Sequence, residues 1–234
     1  MSHASLQQRT IDDRGMRTRF AFDEIIADIC GLPWEKTDED DVLFVAHAYY
    51  FFSIQFRENL EIACRLYPAD ERLSRLRAEE CDTDNLSPWE GVAAPGEAMN
   101  HDEFMRRALA LSPISRPQAI ERAGRSYLAR VRGLDDRARA KSIASYEDGG
   151  LYRVFSAILR APVWRGESQL AFKHFLHKHI EFDAADNGGH GALSRHIPVD
   201  DSIAPLWEAF ARILTTAVPR FAKDASRNQH ESLL

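Results

Sequence analysis

One segment of this chain leaves little freedom to the rest. From about Asp40 to Tyr67, the residues Val45, Tyr49, Phe52, Phe56, Leu60 and Ala63 recur at spacings of three and four, the period of one helix face. The upstream half, Val42 to Phe56, is apolar nearly all round, with only His47 and Gln55 breaking the run. A helix hydrophobic on every side must be wrapped by other helices, so this segment is expected to be a central strut. The same run is too short to span a bilayer.

The flanking sequence supplies the wrapping. Helices are expected from about Phe20 to Cys30, from Asp70 to Glu80, around Asn100 to Ala110, and from Ser115-Arg-Pro117 to near Gly133. Another opens at Asp135 and runs to about Arg160, interrupted by Gly149-Gly150; two more cover Ser168 to Asp183 and Asp200 to about Lys223. Alternating β-branched runs are missing, and turn residues are spaced for helices rather than hairpins. The expected fold is all-α, a single compact bundle of seven or eight helices over residues 19–223. Flexible ends are expected over 1–18 and 224–234. The Gly/Pro-rich stretch Asp82 to Ala98 reads as a long loop, and a loop of that length suits a lid over a substrate channel.

Charge and cysteine usage narrow the class. A formal net charge of −6 without a Lys/Arg-rich run argues against nucleic acid as a partner. Cys30, Cys64 and Cys81 are odd in number and scattered, which fits a reducing cytoplasm and supports neither a disulfide framework nor a thiolate zinc site. Neither a signal peptide nor a membrane span is expected.

The chemistry concentrates near the C-terminal third. His179 and Asp183 lie four apart, so on a helix they project from one face; Asp186 and His190 repeat the spacing beside Gly188-Gly189. Imidazole and carboxylate without thiolate suit iron or manganese. A His-x-x-x-Asp pair by itself is more often a helix-surface hydrogen bond, so the metal reading needs partners on other helices. Glu147, before the double glycine, Glu79-Glu80, at a helix end, and His101, at a helix start, are the candidates; Glu97 rivals His101, and His174 and His177 rival His179. Each also has an ordinary reading as a solvated or capping residue. There is no Glu-x-x-His, no His-Glu-x-x-His, no P-loop and no Gly-x-Ser-x-Gly.

The order is an acid ending one helix, a histidine opening the next, a lone glutamate in mid-helix, then His-x-x-x-Asp and a downstream histidine. It resembles the heme-oxygenase-like diiron oxidase and oxygenase family, the non-heme branch of the heme oxygenase and thiaminase-II-like fold. The likeness runs from the central helix to Trp207. It implies two non-heme irons held by Glu80, His101, Glu147, His179, Asp183 and His190, with Glu147 as the bridging carboxylate and Glu147, His179 and Asp183 central to catalysis. It further implies O2-dependent oxidation of a small, often amino-acid-like molecule by N-oxygenation, C–C cleavage or desaturation. Here Ser87 to Gly96 separates Glu80 from His101, and Ala184 to Gly189 separates Asp183 from His190, both longer than the family pattern.

N-oxygenating relatives tend to carry a further carboxylate ligand on the long helix. Glu58 and Glu61 both fall off its apolar stripe, so neither is expected to bind iron, and the resemblance then favours C–C or C–H oxidation. Arg195, with His196 beside it, is a candidate for holding a substrate carboxylate, or else a surface arginine tying down the loop before Pro198. The expected partners are a small-molecule substrate and O2, with a homodimer left open. Two rival functions share the fold. One is a metal-independent hydrolase or cofactorless oxidase using Cys64 or Cys81; the other is a true heme oxygenase with His47 as the proximal ligand. A helical interaction module is the non-enzymatic alternative.

Overall fold

The structure, a computed structural model, describes residues 20–183 and 189–221, without the side chain of Asp183. The expected ends 1–18 and 224–234 and the side chains of Asp183 and Asp186 lie outside the described residues. Ten α-helices follow one another among those described. They are α1 (Ala21–Cys30), α2 (Glu39–Leu66), α3 (Glu71–Cys81), α4 (His101–Ala110) and α5 (Gln118–Arg132), then α6 (Asp136–Ser145), α7 (Leu151–Ile158), α8 (Glu167–Asp183), α9 (Gly189–Ser194) and α10 (Ala204–Ala217). No strand is formed among the described residues, only isolated bridges. The all-α expectation holds. The count exceeds seven or eight because the double glycine divides one helix in two and because α9 is too short to leave a periodic signal.

The strut is α2. Asp38 caps it by accepting from Asp41 N at 3.0 Å, and Asp41 returns the bond to Asp38 N at 3.0 Å, so two otherwise orphaned donors are satisfied. Its 28 residues reach about 42 Å and pack against α3, α4, α5, α6, α8 and α10. Tyr49, Phe52, Leu60 and Ala63 are fully or almost fully buried, as the stripe requires. The polar residues inside the strut are paired rather than stranded. Gln55 donates to Tyr146 Oη (3.1 Å) and accepts from Tyr127 Oη (2.5 Å); Asn59 donates to Ser142 Oγ (3.0 Å) and accepts from Arg139 Nε (2.9 Å). These contacts fix the register of α2 against α5 and α6 and the turn that follows α6, because a slipped strut would break pairings among six buried polar side chains.

The closest approach between strut and wrapping is at Gly124 of α5. A Cβ built there would lie 2.1–2.3 Å from the Phe51 ring. Gly124→Ala therefore forces Phe51 or α5 outward and should destabilise the protein by about 2 kcal/mol or more. Urea denaturation checks this, and a variant as stable as the parent would show that the helices part freely here.

The 82–100 connection, expected as a lid, is partly packed against the helices. Leu86, Val92, Ala93 and Met99 are buried, Thr83 pairs with Met99 and Trp89 with Ala93 in isolated bridges, and Trp89 lies 4.7 Å from the His174 ring. His174 bonds the Leu86 carbonyl (3.0 Å) and Arg107 the Val92 carbonyl (3.0 Å), so the loop is fastened to α4 and α8. A loop that buries its own apolar side chains packs in the manner of a compact surface loop. No helix among the described residues is long and apolar enough to cross a membrane.

Candidate metal centre

Glu80 is the last buried residue of α3, and Leu73, Leu76 and Glu80 occupy one face of that helix. Its carboxylate is buried to 4% exposure against the start of α4, where His101 Nδ1 lies 2.8 Å from Glu80 Oε2. The other oxygen, Oε1, lies 2.6 Å from Nδ1 of His190 in α9. His190 Nδ1 is in turn 3.3 Å from Glu147 Oε2, and His179 Nε2 on α8 is 3.3 Å from His101 Nδ1. Two groups result, Glu80–His101–His179 and Glu80–Glu147–His190, each with its donor atoms within 4.8 Å of one another. They share Glu80. The resemblance assigns the shared position to Glu147, whereas the geometry gives it to Glu80, with Glu147 in one group only.

Local sequence explains the placement of Glu147. The helix through α6 does not continue past Ser145; it opens into a π-helical turn, Tyr146–Gly150, before α7. Gly149 sits at φ 92°, and a Cβ on Gly150 would come within 2.1 Å of the Ser145 carbonyl oxygen, so this turn demands the double glycine. An inserted residue re-aims the side chains around it, and here it turns Glu147 inward. Tyr146, held by Gln55, anchors the preceding position.

Electrostatics distinguish the two groups. Burial works against an ionised Glu80, yet the charges of His101 and His190 outweigh it and hold the carboxyl well below its ordinary value. Burial, with Glu80 adding to it, moves Glu147 upward. Burial also opposes a charged His190, but Glu80 and Glu147 together hold it up at about 11. His179 goes the other way, pushed down to about 3 by burial and by His101. Its Nδ1 lies 2.7 Å from the Phe175 carbonyl oxygen, so in the neutral ring Nδ1–H donates there and the Nε2 lone pair points toward His101 and Glu80. Metal-bound histidines are commonly oriented in this way.

The residues fit a metal ion on one further observation. The Nε2 atoms of His101 and His190 are buried without a hydrogen-bond partner among the described residues, and Glu80 Oε1 has His190 Nδ1 beside it at 2.6 Å. Buried polar groups are nearly always satisfied, so unpartnered imidazole nitrogens in a cluster with two carboxylates leave donor atoms that a metal ion could take. Nitrogen and oxygen donors without thiolate suit a first-row metal of intermediate hardness.

The remaining candidates are placed elsewhere. Glu79 is partly exposed and bound to Arg75 (2.6 Å), with its carboxylate 3.5 Å from His190 Nε2. Glu97 accepts from Arg107 (2.7 Å) and from Ala94 N (2.9 Å) in the loop. Glu58 pairs with Arg132 and Arg139, and Glu61 with Arg57; neither joins the groups. Arg195 is bound to Asp148 (2.8 Å) and lines a different cavity of about 410 Å³, which none of the five clustered side chains lines. His196 is bound to Asp70.

A small cavity adjoins the cluster, walled by Glu80, His101, Glu147 and His179 and by Tyr49, Phe56 and Leu151. Tyr49 was legible only as core, and Arg57 and Asp102, which also line the cavity, gave no signal tying them to it, whereas Cys81, a candidate thiol in the sequence, does line it. A comparison with protein-family models, curated proteins and solved structures finds no match to this chain.

Proposed function

We propose that this protein is a non-heme diiron oxidase or oxygenase that uses O2 to oxidise a small organic molecule. One observation carries the reading: two buried groups of nitrogen and oxygen donors joined through a single carboxylate, Glu80. A bound iron pair would be held by Glu80, His101 and His179 on one side and by Glu80, Glu147 and His190 on the other, with Asp183 as the further ligand that the family resemblance implies. Such a pair supplies redox chemistry with O2 that no side chain of the protein has by itself.

The chain's own residues prepare the place. Phe175 stacks on His179 at 4.1 Å, and its carbonyl oxygen accepts from His179 Nδ1–H and so fixes the ring; Phe182 covers His190 at 4.2 Å. Tyr49, Phe56 and Leu151 form the apolar part of the cavity wall. Burial, with Glu80 and Glu147 adding, raises the Tyr49 phenol well above its ordinary value, so it keeps its proton and can donate a hydrogen bond into the cavity.

The rival readings lose support. Burial, with Glu80 and Glu61 adding, pushes the Cys81 thiol up to about 12, and burial raises Cys64 as well, which is the reverse of what a nucleophilic thiol needs. His47 Nδ1 accepts from Arg116 Nε (3.1 Å), which leaves the ring proton on Nε2 and no free lone pair for heme iron. Anaerobic loading should give about two irons per chain with no Soret band, and admission of O2 should consume it and change the iron absorbance. A chain that takes up heme, or no iron, would overturn the proposal.

A further inference from the structure

Neighbouring residues of the π-helical turn face different cavities. Glu147 lines the small cavity beside the cluster, whereas Asp148, Gly149 and Gly150 line the separate cavity of about 410 Å³, and the two share no lining residue. The segment opposite divides in the same way: His190 of α9 belongs to the donor groups, and Arg195, just past α9, lines the larger cavity. Two rungs therefore join the turn to α9. Glu147 Oε2 lies 3.3 Å from His190 Nδ1 on the cluster side, and Arg195 Nε and Nη2 donate to Asp148 Oδ1 at 3.0 and 2.8 Å on the other. Between the rungs the backbones nearly touch, since a Cβ on Gly191 would lie 3.0 Å from the Glu147 carbonyl oxygen and 3.4 Å from Asp148 Cα.

The larger cavity has the size and the chemistry of a small-molecule site. Its volume falls in the range such sites occupy. Part of the wall is apolar, formed by the buried Phe22, Ile26 and Ile197 with Val199 beside them. The charged residues of the wall are Asp23, Asp148, Arg153 and Arg195. Asp148 and Arg195 neutralise each other, and Asp23 is buried and accepts from Phe20 N at 3.3 Å. Arg153 of α7 is different: it makes no hydrogen bond or ion pair among the described residues. Its charge calls for one anionic group. A second negative charge on the same ligand would face Asp148 and Asp23, and a positive charge would face Arg153.

We propose that this cavity binds a small organic monocarboxylate as an effector rather than as a substrate, and that its binding tightens the metal position formed by Glu80, Glu147 and His190. The carboxylate pairs with the guanidinium fork of Arg153, and the apolar body of the acid lies on Phe22, Ile26 and Ile197. Arg195 keeps Nη1 unused among the described residues, so it serves the same carboxylate without releasing Asp148. The ligand touches none of the clustered side chains, so its effect runs through the two rungs. Holding Arg195 on Asp148 holds α9 against the turn, and with it His190 beside Glu147. Linkage makes the effect reciprocal: metal at that position tightens the acid by the same factor. The effect on metal rests on the reading of the cluster as a metal centre; the affinity for the acid does not.

The test uses the full chain. Calorimetry on the metal-free protein measures hexanoate, cyclohexanecarboxylate and 3-phenylpropanoate, each alongside the matching primary alcohol and the phosphate monoester of that alcohol. At least one acid should bind about tenfold or more tighter than both of its counterparts, and Arg153→Gln should remove that preference. With the acid present, amide hydrogen exchange of the metal-free protein should slow severalfold over 145–150 and 189–195. Manganese(II), titrated with and without saturating acid, should bind about tenfold tighter with it. Arg153→Gln should bind manganese as the parent does and lose that response. No acid that outbinds its counterparts, an Arg153→Gln variant that binds the acid within twofold of the parent, exchange unchanged by the acid, or a manganese affinity that moves less than twofold would overturn the proposal. A parent that takes up no manganese, yet binds the acid through Arg153 and shows the slowed exchange, would fail the metal reading and leave this second site standing.

Discussion

Glu80→Ala should remove metal from both positions at once, while Glu147→Ala and His179→Ala should each remove it from one. The difference follows from which residue is shared. Glu80 lies 2.8 Å from His101 and 2.6 Å from His190, and it belongs to both groups of donors, whereas Glu147 and His179 each belong to one. Metal content by elemental analysis should fall from about two equivalents per chain to well under one for Glu80→Ala, and to about one for either of the others. Equal losses in Glu80→Ala and Glu147→Ala would show that Glu147 also spans both positions, as the family resemblance implies.

The same substitution has a second effect that needs no metal. In the metal-free protein the Glu80 carboxylate is the counter-charge for His101 and His190, all three buried. Removing it leaves the two imidazoles around an empty space, and breaking a buried pair on one side typically costs about 3–5 kcal/mol. Urea denaturation in the presence of a chelator should register that loss. Glu80→Gln keeps the volume and should lose less. A metal-free Glu80→Ala protein as stable as the parent would mean that the cluster is held apart by surrounding packing alone.

Much of this arrangement was legible in the sequence, for definite reasons. The strut announced itself because Val45, Tyr49, Phe52, Phe56, Leu60 and Ala63 keep one helical phase over five turns, a pattern that few other structures produce. The double glycine marked a break because no other residue tolerates φ 92° at Gly149, although the π-helical form of that break is decided by packing against α9 and α10. The choice between Glu79 and Glu80 was also legible: Leu73, Leu76 and Glu80 share a face, and helical phase alone buries the second glutamate.

Other features lay beyond reach. His190 sits on a six-residue helix whose burial depends on α3 and the π-helical turn, contacts that no local pattern records. The 82–100 loop reads as polar and open because Leu86, Val92 and Met99 follow no period, yet they are buried. Arg57 and Asp102 are 45 residues apart, each an ordinary charged residue on a helix, and only the packing of α2 on α4 brings them together. Arg195, by contrast, looked well placed because it follows His190 closely, but chain proximity did not carry it to the same cavity.

Metal binding at the Glu80–Glu147–His190 position should depend steeply on pH. Before metal arrives, burial disfavours a charged His190, but Glu80 and Glu147 overcome it and hold the imidazolium up at about 11, so it carries its proton at neutral pH. A metal ion needs the imidazole lone pair and must displace that proton. Below pH 11 the apparent affinity of the Glu80–Glu147–His190 position should therefore rise about tenfold per pH unit, with about one proton released per ion. In the other group His179, pushed down to about 3 by burial and by His101, is already neutral and has no proton to lose. His179→Ala isolates the first position and Glu147→Ala the second. Calorimetric titration of each with the same divalent metal between pH 6 and 9, in buffers of differing protonation enthalpy, reads the protons directly. No proton release from the His179→Ala protein would mean that the two carboxylates do not hold the proton on His190 as described.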